Sequence, residues 1–311
     1  MPCAASSSKH PSTETVIPLS DDKQLVQGYL AAIATLLMWS AFSLVSRLGG
    51  KSVLTAYDIY ALRVITAAVV LLPFIHRLPP NAWRDGRLWL LTTLCSLLYC
   101  PLVYSGFKYA PAAHVGILLA GLQPFLISMV LWVMTGKRPH RRRTAGLVLI
   151  TGGVVCASVP YFGGWSPTEA FGDLLIFLGS VCLAIYSVLA SRWGYPVWGL
   201  TCAIAFGSLV AYLPIYFFFL PKELSAAPLS AIITQGAYQG IFATILAMLT
   251  YLKAISTLGA ERCAPLLALV PIVIGLAAVP LLDEPLTGWL LAGLALVSLG
   301  AIVASRQSAR T

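Results

Sequence analysis

Residues Ala112–Met134 read AAHVGILLAGLQPFLISMVLWVM, an unbroken apolar run of 23 residues. About 20 such residues in a helix cross the hydrocarbon core of a bilayer. The run does not alternate polar and apolar residues, so it does not read as a strand of a membrane barrel. A helix is the form that satisfies its own backbone in lipid. Nine further runs of this kind flank it: Gly28–Arg47, Ala56–Ile75, Leu88–Tyr109, Thr144–Val159, Gly172–Arg192, Trp198–Leu220, Ile232–Ser256, Ala260–Leu282 and Gly288–Ser305. Short breaks rich in charge, Pro or Gly separate them, among them Gly49-Gly50-Lys51, Leu78-Pro79-Pro80 and Asp283-Glu284-Pro285. The whole chain agrees. Of 311 residues, 59% are hydrophobic and 10% charged, and the mean hydropathy is +0.85. A soluble domain of this size carries about 25% charged residues and has no means of hiding so much apolar surface. Disorder is excluded for the body of the chain on the same ground. The expected fold class is an all-α polytopic membrane protein with ten transmembrane helices.

The quoted run also has a second copy. Residues 104–158 align without gaps on 251–305 at an offset of 147. Identities include Tyr104/Tyr251, Ala113/Ala260, Leu122/Leu269, Pro124/Pro271, Ile127/Ile274, Gly146/Gly293, Gly153/Gly300 and Ser158/Ser305. Ser46-Arg47 in the first span is echoed by Ser191-Arg192 in the sixth. The chain therefore reads as a duplicated five-span unit, 28–159 and 172–305. Five is odd, so the second copy enters the membrane inverted. The charges fit: Lys137, Arg138, Arg141, Arg142 and Arg143 follow span 4, whereas Asp283-Glu284-Pro285-Leu286-Thr287-Gly288 follows span 9. Inverted repeats are the signature of secondary transporters, with a site near the midplane between the halves.

The net charge of +9 belongs to this topology rather than to nucleic acid. With the N-terminus inside, 15 of the 20 Lys and Arg fall in tails and inner loops. Only Arg47, Lys51, Lys108 and Lys222 fall outside, and Arg63 alone lies within a span. This positive-inside bias places both termini in the cytoplasm and suits a bacterial inner membrane. Residues 1–27 are polar, lack a signal-peptide core and are expected to be a disordered cytoplasmic tail; residues 306–311 are expected to be a second cytoplasmic tail. Six of the seven cysteines lie in apolar spans, none in C-x-x-C spacing, so no metal centre is expected.

Across residues 28–305 the sequence resembles the EamA-type branch of the drug/metabolite transporter superfamily. The resemblance rests on Trp39-Ser40 and Ser46-Arg47, on Arg63, and on Gly121-Leu122-Gln123-Pro124 in span 4. Span 9 carries Ala268-Leu269-Val270-Pro271 and then Leu282-Asp283-Glu284-Pro285-Leu286-Thr287. Spans 5 and 10 add Ala145-Gly146-Leu147…Gly153 and Ala292-Gly293-Leu294…Gly300. The resemblance implies two inverted five-helix bundles around a central cavity, working by alternating access. One departure stands out: where the family usually has Gly-Glu after span 4, this chain has Gly136-Lys137.

Arg63 is the sharpest functional candidate. A charge within a span is expensive and usually faces a cavity or a partner. Its planar fork suits a carboxylate or phosphate, and Asp58, five positions away, is off its face. Trp39, Tyr104, Tyr186 and Tyr251 are aromatic candidates for the same cavity, set against ordinary core packing. Gln123 and Gln239 are polar candidates, Gln235 and Gln239 sharing one helix face at i, i+4. His114 and Glu261 occupy the same repeat position and, with Lys253, are candidates for gating or proton coupling, set against interfacial solvation and snorkelling. Pro124 and Pro271 are hinge candidates, because each ring removes a helical donor. Asp283 and Glu284 read as acids complementing the N-terminus of span 10, with Thr287 as its cap.

No Walker A, H-E-x-x-H or G-x-S-x-G pattern occurs, so an enzyme or an ATP-driven pump is not expected, and no cofactor is called for. The expected function is secondary export of a small organic solute, amino-acid-like or amphipathic. The alternatives are proton-coupled uptake of a similar solute and efflux of organic cations. The expected partners are that solute, the lipid bilayer and, as a candidate coupling ion, the proton.

Overall fold

A computed structural model describes residues 21–136, 141–163, 166–258, 263 and 266–305. Among the described residues there are helices and no strands. Helix α1 (Asp21–Gly50) begins before Gly28, so Asp21–Gln27 of the expected tail is helical. It is followed by α2 (Ala56–Arg77), α3 (Gly86–Tyr109), α4 (Ala112–Thr135), α5 (Arg141–Gly163), α6 (Pro167–Trp193), α7 (Val197–Phe219) and α8 (Leu229–Leu258). Then come α9 (Val270–Leu282) and α10 (Gly288–Ser305). Seven helices, α1 to α4 and α6 to α8, are long and apolar enough to cross a membrane. The apolar helices Thr144–Cys156 within α5, Val270–Leu282 and Gly288–Val303 are shorter.

The ends of these helices follow from local chemistry. Thr55 opens α2 with a reciprocal capping box: its hydroxyl accepts the Asp58 N–H and Asp58 accepts the Thr55 N–H. Asp58 is fully buried and also accepts from the Tyr216 hydroxyl of α7 and from the Glu223 N–H. It is an anchor between helices. Asp85 caps α3 through the Arg87 N–H, and Thr287 caps α10 through the Leu290 N–H. Helix α4 ends at Gly136 with φ 68°, a left-handed conformation that glycine adopts without strain. Its repeat partner Asp283 ends α9 with φ 55°.

Three helices leave the α form midway. Wide-turn segments interrupt α3 at Thr93–Leu98, α4 at Gly116–Gly121 and, over nine residues, α8 at Tyr238–Leu246. Pro124 stands in the first turn of the restarted segment Gln123–Thr135, behind Leu122 at φ −79°, ψ −15°. Pro271 stands likewise in the first turn of α9, behind Leu269 at φ −81°, ψ −11°. The prolines thus begin helical segments rather than bend continuous ones.

Helices α5 and α10 pack antiparallel along glycines. A Cβ on Gly153 would lie 2.8 Å from the Gly293 carbonyl oxygen, and one on Gly300 would lie 2.7 Å from that of Gly146. Close backbone approach through small residues is how helices associate in lipid.

Candidate functional site

Arg63 projects from the middle of α2 toward α3 and α8. Its Nη1 donates to the Tyr104 hydroxyl at 3.2 Å. That hydroxyl donates to Gln239 Oε1 at 2.9 Å. Gln239 Nε2 donates to Ser46 Oγ of α1 at 2.9 Å and to Gln235 Oε1 at 3.3 Å. Gln235 Nε2 closes the chain on the Val45 carbonyl at 2.7 Å. Tyr104, Gln235, Gln239 and Ser46 are all buried, whereas Arg63 keeps part of its surface open. Four helices thus hold one guanidinium by a relay of neutral groups. Among the described residues no carboxylate forms an ion pair with it. A buried hydroxyl and two amides satisfied in series fix the tilt of Arg63 without cancelling its charge.

The other expected residues distribute around this relay. Trp39 and Tyr251 stack at a tilt, with ring centroids 5.1 Å apart, joining α1 to α8. Tyr186 of α6 is half-buried beside Cys95 of α3 and packs in the cluster of Leu88, Leu91 and Leu200. Gln123 donates Nε2 to the Ser180 carbonyl at 3.1 Å, while its buried Oε1 has no partner among the described residues. Lys253 is exposed near the end of α8. His114 faces Asp173 of α6, Nδ1 to Oδ2 at 3.3 Å. Glu261 lies outside the described residues.

A second polar centre had no counterpart in the sequence reading. Glu284 Oε1 accepts Arg47 Nε at 2.8 Å, and Oε2 accepts the Ala112 N–H at 2.8 Å. Arg47 also donates Nη1 to the Phe107 carbonyl, and Lys51 donates Nζ to the Leu282 carbonyl, both at 2.6 Å. Glu284 therefore does more than complement the start of α10; it joins α1 and α4 to the α9–α10 connection, and Arg47 carries the tie on to α3. A cavity of about 190 Å³ beside it is lined by Glu284, Thr287, His114 and Glu169. The sequence signal was present in Arg47 and Glu284, but only the fold brings residues 237 positions apart together.

Apolar helices enclosing satisfied polar relays define an integral multi-pass membrane protein. Residues 26–159 and 170–306 each match the EamA-like transporter family, and the chain belongs to that family. It is a membrane transporter. It is 28% identical over 237 residues to the uncharacterized transporter YvbV of Bacillus subtilis, covering 74% of each chain. It is 24% identical over 291 residues to the uncharacterized inner membrane transporter YedA of Escherichia coli K12, covering 90% of each. A solved crystal structure shares the fold, with a TM-score of 0.64 at 21% identity over 91% of this chain and 99% of that one.

Proposed function

We propose that the protein is a secondary transporter that exports a small amino-acid-like or amphipathic metabolite carrying an acidic group, by alternating access between two inverted five-helix halves. In this reading ten helices cross the membrane and both termini are cytoplasmic. The halves are residues 28–159 and 172–305. The antiparallel packing of the repeat-related α5 and α10, and the matched breaks before Pro124 and Pro271, support the inverted arrangement. The observation that carries the substrate reading is Arg63: partly open, held by Tyr104, and without an acidic partner among the described residues. The solute's carboxylate supplies the missing countercharge. The Trp39–Tyr251 pair and Tyr186 receive its apolar body, Gln123 and Gln239 supply polar contacts, and Pro124 and Pro271 mark where the halves flex. A second reading is uptake coupled to protons through His114, which lines the cavity and faces Asp173.

The test compares the extracellular metabolome of cells producing the native protein, Arg63→Ala at equal expression, or neither. One class of acidic solute should appear outside with the native protein alone. Equal export by Arg63→Ala makes Arg63 structural and favours organic cations. If native and empty cells give the same medium, export is refuted and uptake of labelled solute along a proton gradient becomes the reading to pursue.

A further inference from the structure

The connection between α2 and α3 is folded onto the bundle. Asn81 turns it at φ 61°, and the N–H groups of Ala82, Arg84 and Asp85 donate to the carbonyls of Pro79, Asn81 and Ala82. Asp85 accepts from the Tyr195 hydroxyl of the α6–α7 connection, and the Arg87 guanidinium lies over the Trp193 ring, 5.6 Å from its centroid. Both contacts cross between the two segments that match the family. Residues 77–87 and 192–196 carry four arginines, Arg77, Arg84, Arg87 and Arg192, against the single carboxylate of Asp85. All four arginines are exposed, whereas Asp85 is engaged by Tyr195 and by the Arg87 N–H. Inward from this cationic rim a groove runs between α3 and α7, lined by Trp83, Trp89, Thr92, Ala203 and Gly207. Trp89 Nε1 donates to the Trp83 carbonyl at 3.0 Å and the two rings lie 6.3 Å apart, so the mouth of the groove is aromatic and fixed. Thr92 is six residues into α3 and Gly207 ten into α7, roughly 9 and 15 Å from the helix starts.

We propose that this end of the bundle binds one anionic phospholipid, with its phosphate on Arg84 and Arg87 and an acyl chain in the groove between α3 and α7. Arg84 and Arg87 are the sequence neighbours of the groove residues Trp83 and Leu88, so charge and groove belong to one site. Charge complementarity selects the occupant. Four exposed cations against one engaged carboxylate attract a phosphodiester, and basic pockets between spanning helices are where anionic headgroups dock. The tryptophans stand at the level where aromatic rings prefer the membrane–water interface. A soluble anion meets the same arginines but gains nothing from the groove. This end is a membrane surface in either orientation of the chain, because α2 and α3 both have spanning length and composition. On the proposed topology it is the cytoplasmic surface, where anionic lipids give the leaflet its negative potential. The lipid lies beside the Asp85–Tyr195 bond and adds a tie between the two repeats.

The test titrates the purified full chain in detergent with phosphatidylglycerol or phosphatidylcholine and counts bound lipids by native mass spectrometry. The native protein should hold one phosphatidylglycerol about tenfold more tightly than phosphatidylcholine, and its Tm should rise with that lipid. Arg84→Ala/Arg87→Ala should weaken the adduct by roughly twenty-five-fold, about fivefold for each arginine, and abolish the rise in Tm. Lys108→Ala/Lys222→Ala removes the same charge from the other end of the bundle, where Glu223 meets the start of α2, and should bind as the native protein does. Arg84→Lys/Arg87→Lys should keep most of the affinity, because lysine holds a phosphate as a point charge, which separates lost charge from lost fold. Equal binding of the two lipids by the native protein overturns the site. Equal weakening by the two alanine pairs overturns it in favour of diffuse charge attraction. Displacement of the lipid by glycerol 3-phosphate overturns the acyl-chain assignment and leaves an anion site that needs no groove.

Discussion

A single guanidinium in an apolar bundle is tolerable when its hydrogen bonds are directed and its charge is useful. Tyr104 and Gln239 direct Arg63; nothing acidic among the described residues neutralises it. Its replacement should therefore weaken solute recognition more than folding. Arg63→Ala should raise KM by about tenfold to a hundredfold, because a hydrogen bond to a charged group contributes about 1.5–3 kcal/mol. Arg63→Lys should recover part of that loss, since the charge stays and the fork goes. Transport of labelled solute into inverted vesicles measures both, and equal KM values across the three proteins would rule the contact out. A second residue-scale prediction lies outside the spans. The Tyr195 hydroxyl donates to the Asp85 carboxylate and holds that carboxyl below the usual carboxylate range. A depressed folded value means the stabilisation is present above the unfolded value, about 3.9, and is lost as pH falls through the folded one. Tyr195→Phe should lower Tm at pH 7, and the gap to the native protein should close below about pH 4. A gap that does not change over that range would show the two groups are not linked. Arg63, Tyr104 and Gln239 were legible in the sequence because each is a polar side chain in an apolar run. The order of their hydrogen bonds was not, since it depends on how four helices face one another.

Helix pairing gives the next scale. Alternation between apolar runs and short breaks placed most helix boundaries within a few residues, because a bilayer imposes length and composition together. It did not show the wide turns in α3, α4 and α8, which leave no compositional mark in sequences already rich in Gly and β-branched residues. Glycine spacing, by contrast, was informative about α5 and α10. The methyl carbon of an alanine at position 153 would meet the backbone of α10, with Gly293 O and Val297 N each 2.8 Å away, whereas at Gly152 it would have nothing within 4 Å. Adjacent alanine substitutions should therefore separate. Gly153→Ala forces two helices apart and should cost about 1–3 kcal/mol. Gly152→Ala should be neutral or stabilise by about 0.4–1 kcal/mol through lower chain entropy. Melting in detergent checks the pair, and equal shifts in Tm would mean that α5 and α10 do not meet along this seam.

For the whole molecule, the proposed inverted arrangement asks one five-helix pattern to serve in two orientations. Gly136 and Asp283 occupy the same repeat position and both end their helices in the left-handed conformation, at φ 68° and 55°. The backbone device is shared, while the residues after it differ: Lys137-Arg138 in one copy and Glu284-Pro285 in the other. Cations near the ends of spans are held on the cytoplasmic face, whereas acids impose little orientation. On the proposed topology the helices carry the packing and the loops carry the direction. In this reading two connections that descend from one ancestor lie on opposite faces of the membrane. A fluorescent protein inserted at 137–140 should fold and glow, because the proposed topology puts that loop in the cytoplasm. Alkaline phosphatase inserted between Asp283 and Gly288 should be active, because the proposed topology puts that loop outside, and each reporter should be silent at the other position. Activity of the same reporter at both loops would place them on one face, and the chain would then be a parallel duplication with a different path for its solute.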